Sequence, residues 1–312
     1  MIEISRPISV PIICALIAMS LPGDASSQVT SDEFRLGPLC EAIVSGDIDR
    51  AMQLVKQGED VNASFGCALK AAAQLGQLEL VKQLLDHKAD PNRRVPGKLI
   101  MGASTPLMAA VMSRRVQMVQ LLLQGGANPR NDFRAFQGVL HFGDVDMAEL
   151  LLSQGANANM TYPAGGEDIY ASPDGRKVKV PRTDLEPDRI DDTVKRLQCS
   201  IFTRSEGTSL LYLAVGPGFP AGRDGRERIA KLLIDRGADP NAKTLNGSTP
   251  LMFAASQHNH GAMTMLMDAG ADVRAMDRCG RTAEEYAVLY PRHQRANLAP
   301  QTKALLQDRQ RK

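Results

Sequence analysis

A five-residue phrase recurs six times along the chain, and this repetition limits the folds that the chain can adopt. The copies span residues 58–62, 88–92, 126–130, 155–159, 237–241 and 270–274, and each has an Asp or Asn at its centre. Each copy, called a tail below, follows an apolar helical run such as Leu121–Leu123 or Leu150–Leu152. Repetition at about 33 residues is typical of stacked helical repeats that contact only their neighbours. We therefore expect a repeat protein rather than a globular enzyme.

The other half of each repeat is an opening phrase that starts a helix. Two copies, Thr105–Ala110 and Thr249–Ala255, begin with Thr-Pro-Leu-Met. The threonine hydroxyl can cap free amides at the helix start, and proline at the first helical position loses no needed donor. After a turn, a second helix carries apolar residues at helical spacing, and the tail glycine supplies the left-handed residue that ends it.

Together the openings and tails resemble the ankyrin repeat, from Leu36 to about Leu289. The resemblance implies an all-α fold, an ankyrin-repeat solenoid of stacked helix-turn-helix units joined by inter-repeat finger loops. We expect a domain over residues 33–312 with six repeats and a C-terminal cap, the half-repeat Gly280–Ala287, whose charged residues meet water. The basic end, Arg309–Lys312, is expected to be frayed and solvated.

The spacing between tails shows where this chain departs from a regular repeat. The central residues of successive tails are separated by 30, 38, 29, 82 and 33 residues. The variation falls in the loops between repeats, with helix openings predicted at Cys67, Arg134 and Thr208. The 82-residue interval holds a complete repeat, 8 extra residues between its two helices and a 41-residue insertion. The 41 extra residues fall within residues 160–206, called the insertion below, which is expected to leave the repeats on the finger side.

The insertion itself has patterns of local structure. Asp174-Gly175 lies between two runs rich in branched and aromatic residues, which is the pattern of a β-hairpin. Residues 190–197 have the pattern of a short helix. Long insertions are often functional, so a partner contact is one interpretation, and a merely tolerated loop is the other.

The N-terminus has the pattern of an export signal. Arg6 precedes the apolar segment Ile8–Leu21, which is shorter than a comfortable membrane span. Gly23-Asp24-Ala25 offers small residues to a signal peptidase, so residues 1–25 are predicted to be a cleaved signal peptide of a periplasmic or secreted bacterial protein. Retention of the segment as a membrane anchor is the alternative.

Export would leave four cysteines in an oxidising compartment: Cys40, Cys67, Cys199 and Cys279. Their spacing has no CxxC pair and no metal-finger pattern. Cys40 and Cys67 lie near the starts of neighbouring inner helices, and helices in such stacks are about 10 Å apart. Because that separation is long for a disulfide, we favour buried free thiols.

The sequence contains no arrangement that indicates catalysis, a cofactor or a metal ion. His258 and His260 form the one close histidine pair, in a turn with no Cys or Asp cluster to complete a metal site. Phosphate-loop, Gly-x-Ser-x-Gly and His-Glu-x-x-His motifs do not occur. We therefore expect a non-enzymatic protein. A hydrolase seated in the insertion is the less favoured alternative, because the insertion contains no histidine.

Basic side chains along the fingers are the candidate partner-binding residues. In ankyrin repeats the fingers and first helices form a concave binding face, and the resemblance implies the same here. Acids in these fingers are few beyond Asp132 and Asp277, so we expect an acidic partner to be steered to this edge; ordinary solubilising charge is the alternative. The candidates in the fingers and the insertion are Arg93, Arg94, Lys98, Arg130, Arg134, Tyr162, Tyr170, Lys177, Lys179, Lys243, Arg274 and Arg278.

These patterns predict a monomeric protein-protein interaction module that uses its concave face, fingers and insertion. A net charge of +2 is too small to indicate nucleic-acid binding. An inhibitor or immunity-like protein, or a secreted effector acting on a toxin or host protein, is the alternative within the same class.

Overall fold

Helix pairs follow one another along the chain, as the repeats predict. The computed structural model describes residues 36–94, 105–162, 168–171, 177–180, 207–216, 223–244, 246–289 and 299–311. The predicted signal peptide, the helix predicted at 190–197 and Lys98 lie outside these ranges. The chain divides into two compact units, residues 1–109 and 110–312, which are described in turn.

The first unit contains two helix pairs. They are α1 (Pro38–Ser45) with α2 (Ile48–Lys56), and α3 (Ala63–Leu75) with α4 (Leu78–Asp86). The inner helices α1 and α3 pack against each other, and so do the outer helices α2 and α4. Small buried residues such as Ala42 and Ala72 let neighbouring helices lie close together. Helix α5 (Pro106–Met112) opens the next repeat.

The second unit continues the pattern with more helices. They are α6 (Val116–Gln124), α7 (Phe133–Phe142), α8 (Val145–Ser153), α9 (Leu210–Val215), α10 (Arg223–Asp235), α11 (Pro250–Ser256), α12 (His260–Asp268), α13 (Ala283–Leu289) and α14 (Ala299–Arg311). The inner helices α7, α9, α11 and α13 pack in that order, and the outer helices α8, α10, α12 and α14 do the same. This unit is therefore a stack of helix pairs.

Side-chain caps set the helix starts. The hydroxyls of Thr105 and Thr249 accept hydrogen bonds from the backbone amides of Met108 and Met252, at 3.0 and 3.3 Å. The Ser209 hydroxyl caps α9 in the same way, through the Tyr212 amide at 3.1 Å. The caps expected at Thr105 and Thr249 are confirmed, whereas α9 begins at Leu210 with Ser209, rather than the predicted Thr208, as its cap.

The openings predicted at Arg134 and Cys67 are also displaced. Helix α7 begins at Phe133 rather than Arg134, because the Asp132 carboxylate caps the Ala135 amide at 3.1 Å. Helix α3 begins at Ala63, well before Cys67, with Asn62 at the N-cap position. In both repeats the loop between tail and helix is shorter than the predicted openings imply, since the tail itself leads into the helix.

The central Asp or Asn of every tail closes a short turn. In all six copies its side-chain oxygen accepts a hydrogen bond from the backbone amide two residues further on, at 2.8 to 2.9 Å. Such Asx turns satisfy a backbone donor locally and fix the path of the chain. The repeated residue is therefore explained by turn chemistry.

Three of the asparagines that end a tail, Asn62, Asn159 and Asn241, link neighbouring repeats. Asn159 donates to the Gly237 carbonyl at 2.8 Å and accepts from the Asp239 amide at 2.8 Å. Asn241 makes the same pair of bonds to Gly270 and Asp272, and in the first unit Asn62 makes them to Lys88 and Asp90. Because Asn159 reaches Asp239 across the 82-residue interval, the insertion does not interrupt the stack.

The predicted left-handed residue is present in all six tails. Five are glycines with φ between 83° and 93°. The sixth is Lys88, whose φ of 68° is also left-handed. A residue with a side chain is strained there, so Lys88 is a local defect of the repeat.

The base of the insertion is closed by backbone pairing. Thr161 and Ser209 form an antiparallel bridge. The Tyr162 amide donates to the Thr208 carbonyl at 2.8 Å, and the Leu210 amide donates to the Met160 carbonyl at 3.1 Å. The chain therefore leaves the repeat and returns to it at the same point, beside the start of α9.

The predicted hairpin in the insertion is present. Strand β1 (Asp168–Ala171) pairs antiparallel with β2 (Lys177–Val180), with Asp168 opposite Val180 and Ala171 opposite Lys177. The predicted turn residues Asp174 and Gly175 lie outside the described ranges. Tyr170, Lys177 and Lys179 are strand residues of this hairpin.

The expectation of free thiols is wrong for Cys40 and Cys67, which form a disulfide with a Cα–Cα distance of 5.9 Å. Helix axes about 10 Å apart allow this, because each facing Cα lies about 2.3 Å from its own axis, towards the other helix. The bond joins α1 to α3 and is fully buried. Cys279 is also disulfide-bonded, and Cys199 lies outside the described residues.

The chain ends in a helix pair rather than the predicted half-repeat. Helix α14 packs against α13 and α12. Arg309, expected in a frayed end, pairs with Asp268 on α12, and Lys303 pairs with Glu284 on α13 at 2.6 Å. Leu306 is fully buried. Charged contacts and one apolar anchor thus hold the terminal helix in place.

Candidate functional site

The clearest candidate surface lies on two finger loops of the second unit, residues 239–249 and 272–282, called finger A and finger B below. They are joined by a backbone hydrogen bond from the Arg278 amide to the Asn246 carbonyl at 2.9 Å. Gly247, with φ of 80°, allows this contact, since a Cβ there would lie 3.0 Å from the Arg278 nitrogen. The two fingers therefore form one continuous surface.

Two candidate cations and one methionine are exposed on this surface. Lys243 on finger A and Arg278 on finger B are exposed. Met276 on finger B has 56% of its surface exposed, which is unusual for a large apolar residue. An exposed methionine between cations offers apolar contact as well as charge.

Arg274 also belongs to finger B but has a structural contact. Its guanidinium donates to the Gln310 carbonyl at 3.3 Å, near the end of α14. A cation at a helix C-terminus stabilises the unpaired carbonyls there. Arg274 is therefore directed to the terminal helix, away from the set formed by Lys243 and Arg278.

The remaining basic candidates lie on other fingers. In the second unit Arg130 is exposed in its tail and Arg134 is half-buried in the first turn of α7. Arg130 stands where other tails have the bridging asparagine, and its backbone carbonyl accepts from the Asn157 amide at 3.3 Å instead. In the first unit Arg93 and Arg94 are exposed, and a Cβ on Gly66 would meet the Arg93 side chain at 3.1 Å.

Tyr162 lies at the base of the insertion. Its ring meets the Phe133 ring edge to face, with centroids 5.5 Å apart, and the residue is half-buried. This contact fixes the point where the insertion leaves the repeats. Tyr162 is therefore an anchor of the insertion.

The two acids singled out in the sequence, Asp132 and Asp277, are buried and engaged in structural contacts. Asp132 is 7% exposed and caps α7. The side chain of Asp277 is fully buried and pairs with Arg281 at 2.7 Å. Its oxygens also accept from the amides of Cys279 and Arg281, at 2.8 and 2.9 Å. The exposed acids of fingers A and B are Asp239 and Asp272, whose side chains accept from the amides of Asn241 and Arg274 in the tail turns. Lys243 and Arg278 are exposed cations of the same two fingers.

A buried polar network stiffens finger B from below. The Tyr286 hydroxyl donates to Asp277 Oδ2 at 2.8 Å and lies 2.6 Å from the Ser248 hydroxyl on finger A. Burial alone would raise the pKa of Asp277, but hydrogen bonds from Arg281, Tyr286 and the Cys279 amide together hold it below its ordinary value. Burial and the bond to Asp277 raise the pKa of Tyr286 well above its ordinary value.

This network has residue types found in catalytic sites, but its geometry suits a structural role. Ser248 is 1% and Tyr286 2% exposed, so a substrate does not reach either hydroxyl. A tyrosine with a raised pKa stays protonated at neutral pH and is a poor general base. The network therefore holds the finger backbone in position.

The ranges that the structure describes contain neither a metal-ligand cluster nor a membrane-spanning helix. There, no three His, Cys, Asp or Glu side chains come together as metal ligands would. No helix in those ranges combines the length and apolar character of a membrane span. His258 Nδ1 and His260 Nε2 lie 2.9 and 2.8 Å from Thr302 Oγ1.

Sequence reasoning missed the features that shape this surface. The sequence patterns assign no role to three residues of finger A, Asn246, Gly247 and Ser248, or to Met276 of finger B. An Asn-Gly-Ser run before Thr-Pro was the available signal, because it is typical of a tight turn. The burial of Asp277 had no local signal, since it depends on Tyr286 in the next helix.

Known proteins are similar to this chain in its repeats. Family models described as ankyrin repeats match residues 69–123 (many copies) and 211–298 (three copies). A putative ankyrin repeat-containing protein of Treponema pallidum is 39% identical over 70 residues, which is 22% of this chain and 24% of that protein. Phosphocholine transferase AnkX of Legionella pneumophila is 25% identical over 252 residues, covering 65% of this chain and 25% of that protein.

This chain spans no more than about a quarter of the first curated relatives, 24% and 4% of their lengths. Among solved structures, the human ASB11 ankyrin repeat domain has a TM-score of 0.54 at 22% identity, covering 86% of this chain and 98% of that one. An ankyrin repeat domain from Acinetobacter baumannii AYE has a TM-score of 0.52 at 19% identity, covering 75% of this chain and 98% of that one. These structures share the fold.

Proposed function

Because this chain is an ankyrin-repeat protein, we propose that it binds a partner protein through fingers A and B and catalyses no reaction. Ankyrin repeats are protein-protein interaction modules, so a binding role is the natural starting point. One observation carries the choice of surface: the fingers are held rigid by backbone and buried side-chain bonds, while Lys243, Met276 and Arg278 face solvent. Rigid loops lose little conformational entropy on binding.

The charge of this surface favours an acidic partner. Lys243 and Arg278 lie on adjacent fingers, and the nearby Asp277 is neutralised by Arg281. The exposed Asp239 and Asp272 stand at the start of the two fingers, where each accepts a backbone hydrogen bond of its tail turn. A local positive surface accelerates encounter with an acidic protein and excludes basic ones. Met276 would add apolar contact at the centre of the interface, where binding energy concentrates.

The insertion supports a second contact region. Its base is clamped beside α9 by the Thr161–Ser209 bridge and by the Tyr162 ring on Phe133. The insertion contains a hairpin whose strands include Tyr170, Lys177 and Lys179, and a loop with a fixed base is suited to partner contact. We therefore include the insertion in the proposed binding region.

The disulfide between Cys40 and Cys67 supports export. Structural disulfides form and persist in the periplasm and outside cells. Together with the export pattern of residues 1–25, this favours a periplasmic or secreted protein. The matching test is the mass of the protein isolated from its source, which should lack the first 25 residues.

A secreted effector or an inhibitor is the second candidate. The export pattern of residues 1–25 and the Cys40–Cys67 disulfide support it as well. The identity of the partner separates the two readings, because an effector binds a host protein and an immunity-like protein binds a toxin.

The test is affinity capture from the native extract with two baits. One bait is the mature chain, and the other has residues 163–206 replaced by a short Gly/Ser linker, which keeps the Thr161–Ser209 clamp. A partner retained by both baits places binding on the repeats, and a partner lost by the shortened bait places it in the insertion. Failure of both correctly folded baits to retain any protein would contradict the proposed function.

A further inference from the structure

A second disulfide of the chain has one of its two cysteines in finger B. Cys279 is disulfide-bonded, and it is half-buried beside the exposed Arg278. Its backbone amide donates to Asp277 Oδ1 at 2.8 Å, so the buried carboxylate that stiffens the finger also holds this cysteine. One end of the bond therefore lies at a fixed position within the proposed binding surface.

The other end of the bond follows from the cysteine content of the chain. The sequence has five cysteines, at positions 14, 40, 67, 199 and 279. Cys40 and Cys67 bond to each other, which leaves Cys14 and Cys199 as partners for Cys279. Cys14 belongs to the predicted signal peptide and is removed with it. In the exported protein, Cys199 of the insertion is the cysteine that remains.

The distance between the end of the insertion and finger B is compatible with this pairing. The insertion returns to the repeats at Ser209, at the start of α9. The inner helices α9, α11 and α13 pack in succession, so the start of α13 lies about 20 Å from the start of α9. Cys199 precedes Ser209 by ten residues, and a chain of that length spans up to about 33 Å. Cys199 can therefore reach finger B, which leads into α13.

The bond requires an oxidant, and thiol–disulfide exchange in an exported compartment provides one. Joining two thiols releases two protons and two electrons. The disulfide of an exchange protein or of a small thiol accepts them: its sulfur–sulfur bond breaks, and it leaves as two thiols while the new bond forms. The half-buried Cys279 is more accessible to such exchange than the fully buried Cys40 and Cys67.

We propose that Cys199 and Cys279 form a disulfide that fastens the insertion to finger B. This rests on the proposed function, because export removes Cys14 and supplies the oxidant. The bond joins the insertion to the residue beside Arg278, so the insertion and fingers A and B become one binding region. Two contact regions that are joined before a partner arrives lose less conformational entropy on binding. Reduction of the bond therefore weakens partner binding.

Peptide mapping of the protein isolated from its source tests the pairing without any partner. Free thiols are blocked with iodoacetamide, and the protein is digested with trypsin in the absence of reductant. We expect residues 197–204 and 279–281 as one cross-linked pair that separates on reduction, from protein that is monomeric on a non-reducing gel. Blocked thiols at Cys199 and Cys279, or a bond from Cys279 to any other cysteine, would overturn the pairing.

This outcome is distinct from failure of the proposed function. The intact mass of the same sample reports removal of residues 1–25, and affinity capture reports partner binding. The pairing is decided by the peptide map alone.

Affinity for the captured partner tests the consequence of the bond. The variant C199S/C279S should bind at least about five-fold more weakly than the wild type, because the insertion is no longer held at finger B. The matched control C40A/C67A lacks the other disulfide and should keep wild-type affinity at a temperature where it stays folded. Unchanged affinity in a folded C199S/C279S variant would overturn the role in binding.

Mild reduction of the wild type gives the same test without a substitution, and it decides if C199S/C279S does not fold. The half-buried Cys279 should be reduced and blocked before the fully buried Cys40 and Cys67. Protein blocked at Cys199 and Cys279 alone should show the same loss of affinity. Full affinity after this bond has been opened would contradict the proposal.

Discussion

The first two repeats and the last repeat are stabilised by different chemistry at the inner helices. Between α1 and α3 the link is the covalent Cys40–Cys67 bond. At α13 it is the buried network of Asp277, Arg281 and Tyr286. A disulfide acts mainly by restricting the unfolded chain, whereas a buried ion pair acts in the folded state and needs every partner. The stability of the first two repeats therefore depends on the disulfide, and the stability of the last repeat depends on the charges of Asp277 and Arg281.

The two regions also differ in how they accommodate a cation. Arg281 faces Asp277, whose pKa its hydrogen bonds help to lower. Lys70 on α3 is 2% exposed, and burial lowers its pKa from 10.5 to about 8. Burial of Lys70 therefore costs stability at neutral pH, while Arg281 contributes to stability. Four substitutions would sharpen or break this comparison.

The largest effect is expected for Asp277→Asn. It removes the charge that Arg281 and Tyr286 require and leaves a buried guanidinium unpaired, so unfolding free energy should fall by about 3–5 kcal/mol. Urea denaturation followed by circular dichroism measures this. The matched control is Asp272→Asn on the same finger, because asparagine can replace its exposed Asx turn with Arg274. Equal losses in the two variants would refute the role given to the buried network.

Loss of the disulfide should be the next largest effect. In the double variant C40A/C67A, the loop of 27 residues is no longer closed, and the first unit should lose about 3 kcal/mol of stability. Hydrogen exchange should show faster exchange in α1 to α4 and unchanged exchange in α11 to α13. Unaltered protection of α1 to α4 would mean that the bond adds nothing to this region.

Lys70→Met should remove a pH dependence. The unfolded lysine keeps its proton up to pH 10.5, but the folded one keeps it only to about 8. Between these values the unfolded state binds more protons, so wild-type stability should rise with pH by up to about 3 kcal/mol. Below pH 8 the full cost is present, and the methionine variant should be more stable there by a similar amount. A wild-type stability that is flat from pH 8 to 10.5 would contradict this.

The smallest effect is expected at Lys88. Replacing it by glycine removes the side chain from a left-handed position and should stabilise the first unit by about 1 kcal/mol. Lys88→Ala keeps a Cβ and is the control, for which we expect no gain. Thermal unfolding of both variants compares them directly, and a gain in the alanine variant would point to the lysine side chain instead.

Much of the fold follows from local sequence, because each repeat is built from local rules. The tails, threonine caps and left-handed glycines each depend on a few neighbouring residues, and the structure has them where predicted. The hairpin of the insertion follows equally from Asp174-Gly175 and its flanking runs. The predicted starts of α3 and α7 were misplaced because these helices lack the Thr-Pro phrase. Asn62 and Asp132 occupy their N-cap positions instead.

The remaining features depend on contacts between residues distant in sequence. The Cys40–Cys67 bond depends on the distance between facing Cα atoms, which is shorter than the distance between helix axes. Burial of Asp277 depends on Tyr286, and docking of α14 depends on Thr302 reaching His258 and His260. The candidate surface was predicted as a set of basic fingers, but only tertiary contacts separate Arg274 from Lys243 and Arg278.

The measurement that tests the central claim most directly is partner affinity as a function of salt for two charge-reversal variants. K243E/R278E changes the surface of fingers A and B, and R228E/K231E makes the same charge change on the outer helix α10. We expect the finger variant to bind the captured partner at least about ten-fold more weakly, mainly through slower association at low salt. The α10 variant should bind like the wild type. Equal binding by all three proteins would contradict the assignment of the binding surface to the fingers.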